Sequence, residues 1–383
     1  MTYDVESLKT LKVAVAHPWL VEMRGGEKVF VELARMFPGA DLFLLFGRLD
    51  RLPSDLQRRQ IQTSFLQKTS PWRASYRGTL PLLPAAARSL DLRSYDLVIT
   101  SSSGWIHGVR TDPAGVHVCY MHTPPRYLWD SSYTPRTRFG RLQRAALSSV
   151  KGRFQRWDRA SAQKISKFLA NSATVQRRIE ASYSRGARVV YPPVDVARFI
   201  GSAHSKGGFA LVVSELVAYK RVDCAIEACV QAGLELVVIG DGPERPGLEK
   251  LAARGRVTFL GRVPDPVVEQ YLSKADVFIH AGIEDFGIAT VEALAAGVPI
   301  VGINEGGTAE IVGQSDVGEL VPVGSVDALV SALRRVIGRE ANEAVCRARA
   351  LDFGPERFRS AVLASIGEAL DDRKVAAAPA WNW

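Results

Sequence analysis

Gly282-Ile283-Glu284-Asp285-Phe286-Gly287-Ile288-Ala289-Thr290-Val291-Glu292 places two glutamates eight positions apart across a Phe-Gly turn. The apolar run Val277-Phe278-Ile279 precedes it, and a run to Ala296 follows, closed by Gly297 and Pro299. This spacing predicts a strand, a tight turn and a helix. Glu284 then lies in the loop at the carboxyl end of a strand, and Glu292 about one and a half turns into the helix. The backbone amides from Phe286, Gly287 and Ile288 to Thr290 and Val291 belong to the helix start, where unpaired N–H groups and the macrodipole favour phosphate. Carboxylates on either side suit sugar hydroxyls, because each accepts two hydrogen bonds. Paired acids near a helix end also arise as plain solvated charges. The preceding strand, the Phe-Gly turn and the Gly-Val-Pro stop favour a pocket for a sugar joined to a diphosphate.

The same alternation extends in both directions. Apolar runs at Lys12 to Ala16, Asp41 to Phe46, Asp96 to Thr100, Val116 to Tyr120, Phe168 to Ala170 and Arg188 to Val190 are separated by helical segments. A second series holds Phe209 to Val213, Glu235 to Ile239, Val257 to Leu260, Asp276 to Ile279, Pro299 to Gly302 and Glu319 to Val321. Strands alternating with helices predict an α/β fold with parallel sheets. At 383 residues, two domains are expected. We place an N-terminal α/β domain at 1–200 and a second at 201–354, with the Gly-rich stretch Gly201 to Gly208 as linker. A last helical region is expected in 355–383, ending in a flexible tail. Ligands of open parallel sheets bind at the carboxyl ends of strands, which predicts a cleft between the two.

Hydrophobic content of 47% and charged content of 23% are globular values. No apolar run approaches a membrane span, and Met1 to Ser7 lacks the pattern of a signal peptide. Cys119, Cys224, Cys229 and Cys346 show no zinc-like spacing, and cytoplasmic thiols are expected. The net charge of +9 is concentrated: from Arg136 to Lys164 nine basic residues face one acid, Asp158. Phe139, Leu142, Leu147, Val150, Phe154 and Trp157 interleave at helical spacing. Such a helix either lies on an anionic membrane, on the inner face of the plasma membrane, or packs on its own domain. No nucleic-acid motif accompanies the charge, so no nucleic-acid partner is expected.

Three further stretches carry chemistry. Arg24-Gly25-Gly26-Glu27-Lys28 follows the strand ending at His17, so Gly25 and Gly26 let backbone amides approach a ligand at a helix start. His122-Thr123-Pro124-Pro125-Arg126 ends another strand, and an imidazole there can donate to a hydroxyl. Arg126 could hold an acceptor or donor phosphate, or be neutralised by Asp130. Ser214 to Asp223 opens a helix with Lys220 and Arg221, cations suited to a diphosphate leaving group. The glycines of Gly240-Asp241-Gly242 suit a structural turn as well as a functional one. A Rossmann dehydrogenase is disfavoured, since no G-x-G-x-x-G follows a strand.

Along nearly its whole length the chain resembles the retaining glycosyltransferases of family 4, which have the GT-B fold of two Rossmann-like domains and an E-x7-E motif. The motifs Ser214-x-Leu216-Val217-x-Tyr219-Lys220-Arg221-Val222-Asp223 and Glu284-Asp285-Phe286-Gly287-Ile288 are closest to bacterial mannosyltransferases of cell-envelope and exopolysaccharide assembly. The resemblance implies transfer of a hexose with retention, most simply mannose from GDP-mannose, to a glycan or polyprenyl-diphosphate-linked acceptor. UDP-linked glucose, galactose or N-acetylhexosamine are the alternatives. It also implies that the Rossmann-like domain 1–200 binds the acceptor and 201–354 the nucleotide sugar, that the helix in 355–383 crosses back to the first domain, and that Glu292 holds the ribose, Glu284 the sugar hydroxyls and Lys220 the leaving group. His122 would reach the transferred sugar, Gly25 and Gly26 would lie near the donor phosphates, and backbone near Val263 would touch the base. No D-x-D triplet occurs, and enzymes of this kind need no divalent metal, so no cofactor is expected. One position departs: relatives carry arginine where this chain has Glu215. This departure leaves open a nucleotide-sugar-binding protein without transfer; a sugar-nucleotide epimerase of the same fold, which needs acid and base groups beside the sugar carbon, is a separate alternative.

Overall fold

The computed structural model describes residues 8–69, 79, 81–130, 141–199, 204–313, 316–339 and 342–377. Side chains are described from Lys151 onward in the helix Arg141–Ala162, and as far as Lys374 in the last helix, Pro355–Ala377. Arg136, Arg138 and Phe139, part of the expected linker (201–203) and the terminal 378–383 lie outside the described residues.

The chain divides into two units: Met1–Pro193 with Phe358–Trp383, and Val194–Arg357. In the first, the strands are β1 (Val13–Leu20), β2 (Asp41–Gly47), β3 (Ile61–Thr63), β4 (Asp91–Leu92), β5 (Leu97–Ser102), β6 (Arg110–Thr111), β7 (Val116–Met121), β8 (Lys167–Ala170) and β9 (Arg188–Val189). A parallel sheet runs β3-β2-β1-β5-β7-β8-β9, with β4 and β6 paired apart from it. In the second unit β10 (Phe209–Val213), β11 (Glu235–Ile239), β12 (Val257–Gly261), β13 (Val277–His280), β14 (Ile300–Ile303) and β15 (Gly318–Val321) form the order β12-β11-β10-β13-β14-β15. Every run expected as a strand forms one. The additional strands β3, β4 and β6 are two or three residues long, too short to carry an alternation pattern.

Alternation along β1 shows why the sheet is covered on both faces. Val13 and Val15 join one core, with Val29, Phe30 and Leu33 of the helix Gly25–Met36, while Ala14 and Ala16 join another with Ala86, Ala87 and Trp105. Phe358, Val362, Ile366 and Ala369 of the last helix belong to the first of these cores, so this helix completes the N-terminal unit. Burial of each large apolar side chain contributes about 1.5–3 kcal/mol. The second unit has its own core, built from Ala210, Val212, Leu236, Val238 and Ile279 of the sheet with Ile226 and Leu333 of covering helices. No helix among the described residues is long and apolar enough to cross a membrane.

Pairing of β1 with β5 stops at Ala16 opposite Thr100, whereas pairing with β2 continues to Leu20. Pro18, which has no N–H to give, therefore follows the point where the β5 ladder ends. There the two strands part and leave His17 and Ser101 side by side.

Candidate functional site

In the second sheet, strand order runs outward in one direction from β10 and in the other from β13. Such a reversal opens a crevice at the carboxyl ends of the two strands. The loop after β10 leads through a short turn, Ala218–Lys220, to Arg221, whose backbone is left-handed (φ 48°). The loop after β13 runs from Ala281 to Gly287 and opens the helix Ile288–Ala295. The two loops touch at Gly282, where an added Cβ would lie 2.5 Å from the Lys220 Cα.

This approach brings Lys220 Nζ onto Glu284 Oε1, an ion pair whose side chains are only 15% and 17% exposed. His280, at the end of β13, is buried behind them. Its Nε2 lies 3.8 Å from the same Glu284 oxygen, and its Nδ1 bonds Thr290 Oγ1 at 3.2 Å. Burial, reinforced by the Lys220 charge, pushes the His280 pKa down to about 3, so the ring is neutral. His280 was not singled out in the sequence; only its place at a strand end, four residues before Glu284, could have flagged it.

Gly287 begins the helix with φ 109°, a conformation suited to glycine. The Thr290 and Val291 amides donate back to the Gly287 carbonyl at 3.0 and 3.3 Å, and both side chains are fully buried. Ile288 and Ala289, the first two helical residues, are those whose N–H groups precede any helical acceptor. Phe286 is buried and meets Phe353 edge-on at 5.6 Å. From the other side, Gly307 N–H donates to the Glu284 carbonyl at 3.0 Å, and a Cβ on Gly307 would sit 2.0 Å from the Phe286 oxygen. Glu292 stands half-buried in the second turn of its helix.

Arg221 turns its guanidinium onto Asp223, with contacts of 3.0–3.1 Å. Val263 is half-buried beyond β12, at the edge of the sheet. Glu215 is half-buried in the loop, its carbonyl accepting from Val217 N and Ser214 Oγ. The glycines of Gly240 and Gly242 are structural: added Cβ atoms would lie 1.9 Å from Ser214 O and 2.3 Å from Leu216 O.

The first sheet repeats the plan. Its order reverses between β1 and β5, and His17 and Ser101 lie at that point. His122 follows β7, the next strand, held by its N–H on Ser102 O at 2.8 Å. Its Nε2 is 2.8 Å from Ser101 Oγ, and His17 Nδ1 is 3.1 Å from both Ser101 Oγ and Ser101 O. Burial and the neighbouring His17 push the His122 pKa down to about 3. Gly25 and Gly26 begin the helix beside them: an added Cβ on Gly26 would lie 3.5 Å from His122 Nε2 and 3.6 Å from His17 Cε1. Arg126 Nη2 is 3.5 Å from Asp130 Oδ2.

The segment after His122 is anchored by buried Asp158. This carboxylate accepts from Trp129 Nε1 at 2.7 Å and Tyr183 OH at 2.8 Å, and lies 3.1 Å from His107 Nε2. The lone acid of the basic stretch is thus a scaffold residue. Phe154 and Trp157 of the same helix pack inward, each 5.4 Å from Trp105, while Arg153 and Arg156 are exposed.

Comparison with known proteins follows this geometry. Residues 23–198 match the family model described as Glycosyltransferase Family 4, and residues 195–351 match Glycosyl transferases group 1. The chain is 28% identical over 166 residues to N-acetyl-alpha-D-glucosaminyl L-malate synthase of Bacillus anthracis, covering 41% of this chain and 43% of that protein. It is 34% identical over 146 residues to a GDP-mannose-dependent alpha-mannosyltransferase of Mycobacterium tuberculosis, covering 35% and 38%. The matched stretch thus spans less than half the length of either relative. The crystal structure of Anabaena HepE in complex with UDP superposes with a TM-score of 0.65 at 18% identity, over 94% of this chain and 100% of that one, a likeness of fold. Two parallel α/β units, each with candidate side chains at its strand reversal, and two family models that together run from residue 23 to residue 351 lead to one assignment: the chain belongs to the family-4 glycosyltransferases of GT-B fold.

Proposed function

We propose that the protein transfers a hexose from a nucleoside diphosphate sugar, with retention of configuration, to a glycan or lipid-linked acceptor. The observation that carries this reading is the Lys220–Glu284 pair at the strand reversal of the second sheet, next to the helix start at Gly287. Lys220 and the N–H groups of Ile288 and Ala289 neutralise the diphosphate as its charge grows during departure. Glu284, freed from Lys220 when phosphate takes its place, accepts hydrogen bonds from sugar hydroxyls. Glu292 serves the ribose, backbone near Val263 the base, and His122 donates to the sugar. Arg126 and the Gly25–Gly26 helix start are the candidates for further phosphate or acceptor contacts, and Arg221 supports the Lys220 turn from its place on Asp223. The leaving phosphate takes the acceptor proton on the same face, and the diphosphate is met by protein cations rather than by a divalent metal.

GDP-mannose is the donor we favour, supported by the relative named for it and by the motif resemblance. The Bacillus anthracis relative, named for an N-acetylglucosaminyl group, supports a UDP-sugar as the second reading. Glu215 supports a third, donor binding without transfer. Thermal stabilisation by a panel of nucleoside diphosphates and their sugars, in the presence of chelator, tests all three. A shift selective for GDP and GDP-mannose is expected. Selectivity for UDP moves the donor to the second reading, a shift without turnover favours the third, and no shift with any nucleotide overturns the proposal.

A further inference from the structure

Three neighbouring strands, β1, β5 and β7, deliver His17, Ser101 and His122 to one hydrogen-bonded row, and the row fixes where its protons lie. His17 Nδ1 is 3.1 Å from the Ser101 carbonyl oxygen. A carbonyl only accepts, so this nitrogen carries a proton, which it shares with Ser101 Oγ at the same distance. With Ser101 Oγ accepting from His17, its single hydrogen points the other way, to His122 Nε2 at 2.8 Å. His122 Nε2 is then the acceptor. A neutral imidazole with Nε2 bare carries its proton on Nδ1.

We propose that Ser101 is a positioning residue that holds His122 as the Nδ1–H tautomer, so that the ring presents a hydrogen-bond donor to an oxygen of the bound sugar. The ordinary preference of histidine in water is the opposite tautomer, with the proton on Nε2. Without the serine, the ring would offer a lone pair where a hydroxyl or a developing oxyanion needs a donor. His17 acts one step further back: it turns the serine hydroxyl by occupying one of its lone pairs. The helix start lies close by, since a Cβ added at Gly26 would come into van der Waals contact with both rings. That the donor meets the transferred sugar rests on the function proposed above, whereas the tautomer itself does not.

Nitrogen NMR of the full chain labelled with 15N-histidine, near pH 7.5 and without any substrate, reads the tautomer directly. The His122 signals are assigned by their loss in His122→Asn. We expect a protonated Nδ1 and a bare Nε2 for His122, and a protonated Nδ1 for His17. Ser101→Ala should return His122 towards the Nε2–H form and lower kcat/KM about tenfold, the loss of one well-placed hydrogen bond, with donor affinity reduced less than kcat. A protonated Nε2 on His122 in the unaltered protein overturns the inference, whether or not Ser101→Ala folds. An unchanged tautomer in folded Ser101→Ala overturns the role of the serine. A shifted tautomer with undiminished transfer overturns the positioning role while leaving the function intact. Failure of the function would show instead as no nucleotide binding by the unaltered protein, with the NMR result unaffected.

Discussion

Lys220 and Glu284 are each largely withdrawn from water, and a half-buried ion pair contributes little net stability once desolvation is counted. Stability alone therefore gives no reason to keep both charges at this spot, next to a neutral His280 and a helix start. A diphosphate does, since it exchanges one anion for another on the same ammonium group. Lys220→Met should lower kcat at saturating donor roughly a hundred- to a thousandfold, the scale of losing one transition-state charge partner, with a smaller loss of donor affinity. Initial rates with saturating acceptor check this, beside a melting curve to show that the variant is folded. A rate equal to that of the unaltered protein would remove Lys220 from the mechanism.

At the scale of elements, the helix Arg141–Ala162 shows how one pattern divides its labour. Phe154 and Trp157 were open to two readings in the sequence, and both pack against Trp105, so this part of the apolar stripe belongs to the protein's own core. Arg153 and Arg156 remain exposed on the other side. Attraction to an anionic bilayer, which a polyprenyl-linked acceptor would call for, would then be electrostatic, at about 1 kcal/mol for each basic residue near the surface. The protein is expected to pellet with anionic vesicles at low salt, to be released by added salt, and to bind about thirtyfold more weakly as the double variant Arg153→Gln, Arg156→Gln. Absence of binding to anionic vesicles at low salt would reject a membrane role for this helix. Strands, the Phe-Gly helix start and the acid pair were legible because period-two apolar runs and glycine breaks are local signals. The contacts that bind the loops together were not. Gly307 under Phe286, Gly282 against Lys220, and the His17–Ser101–His122 row join residues from separate strands, and their meeting depends on strand order. Strand order is set by packing of the whole sheet, which no short window of sequence contains.

Each of the two units keeps a buried neutral histidine, and this gives the whole molecule a shared dependence on pH. In the first unit His117 bonds Thr100 Oγ1 at 3.0 Å, and burial, with His107 nearby, pushes its pKa down to about 3, as burial beside His17 does for His122. In the second, His280 is pushed down to about 3 in the same way, with Lys220 adding to the effect. An unfolded histidine titrates near 6.5. Above that pH both folded and unfolded chains hold these rings neutral, and the stability they permit is fully present. Between about 6.5 and about 3 the unfolded chain takes up protons that the folded one refuses, so stability falls as pH falls, by about 1.4 kcal/mol per pH unit for each ring. Asp50, Asp55 and Asp91 are held below the usual carboxylate range by Arg48, Arg35 and Arg93, so their contribution is lost only at lower pH. The window from pH 6.5 to 4.5 therefore belongs to the histidines. Urea unfolding should give midpoints that are level from pH 8 to 7 and drop steadily below 6.5. The drop should be shallower in His117→Gln, which keeps a side chain able to meet Thr100 but takes up no proton. Midpoints that stay level down to pH 4.5 would mean that these rings accept protons in the folded protein, and that the interior around them is open to water.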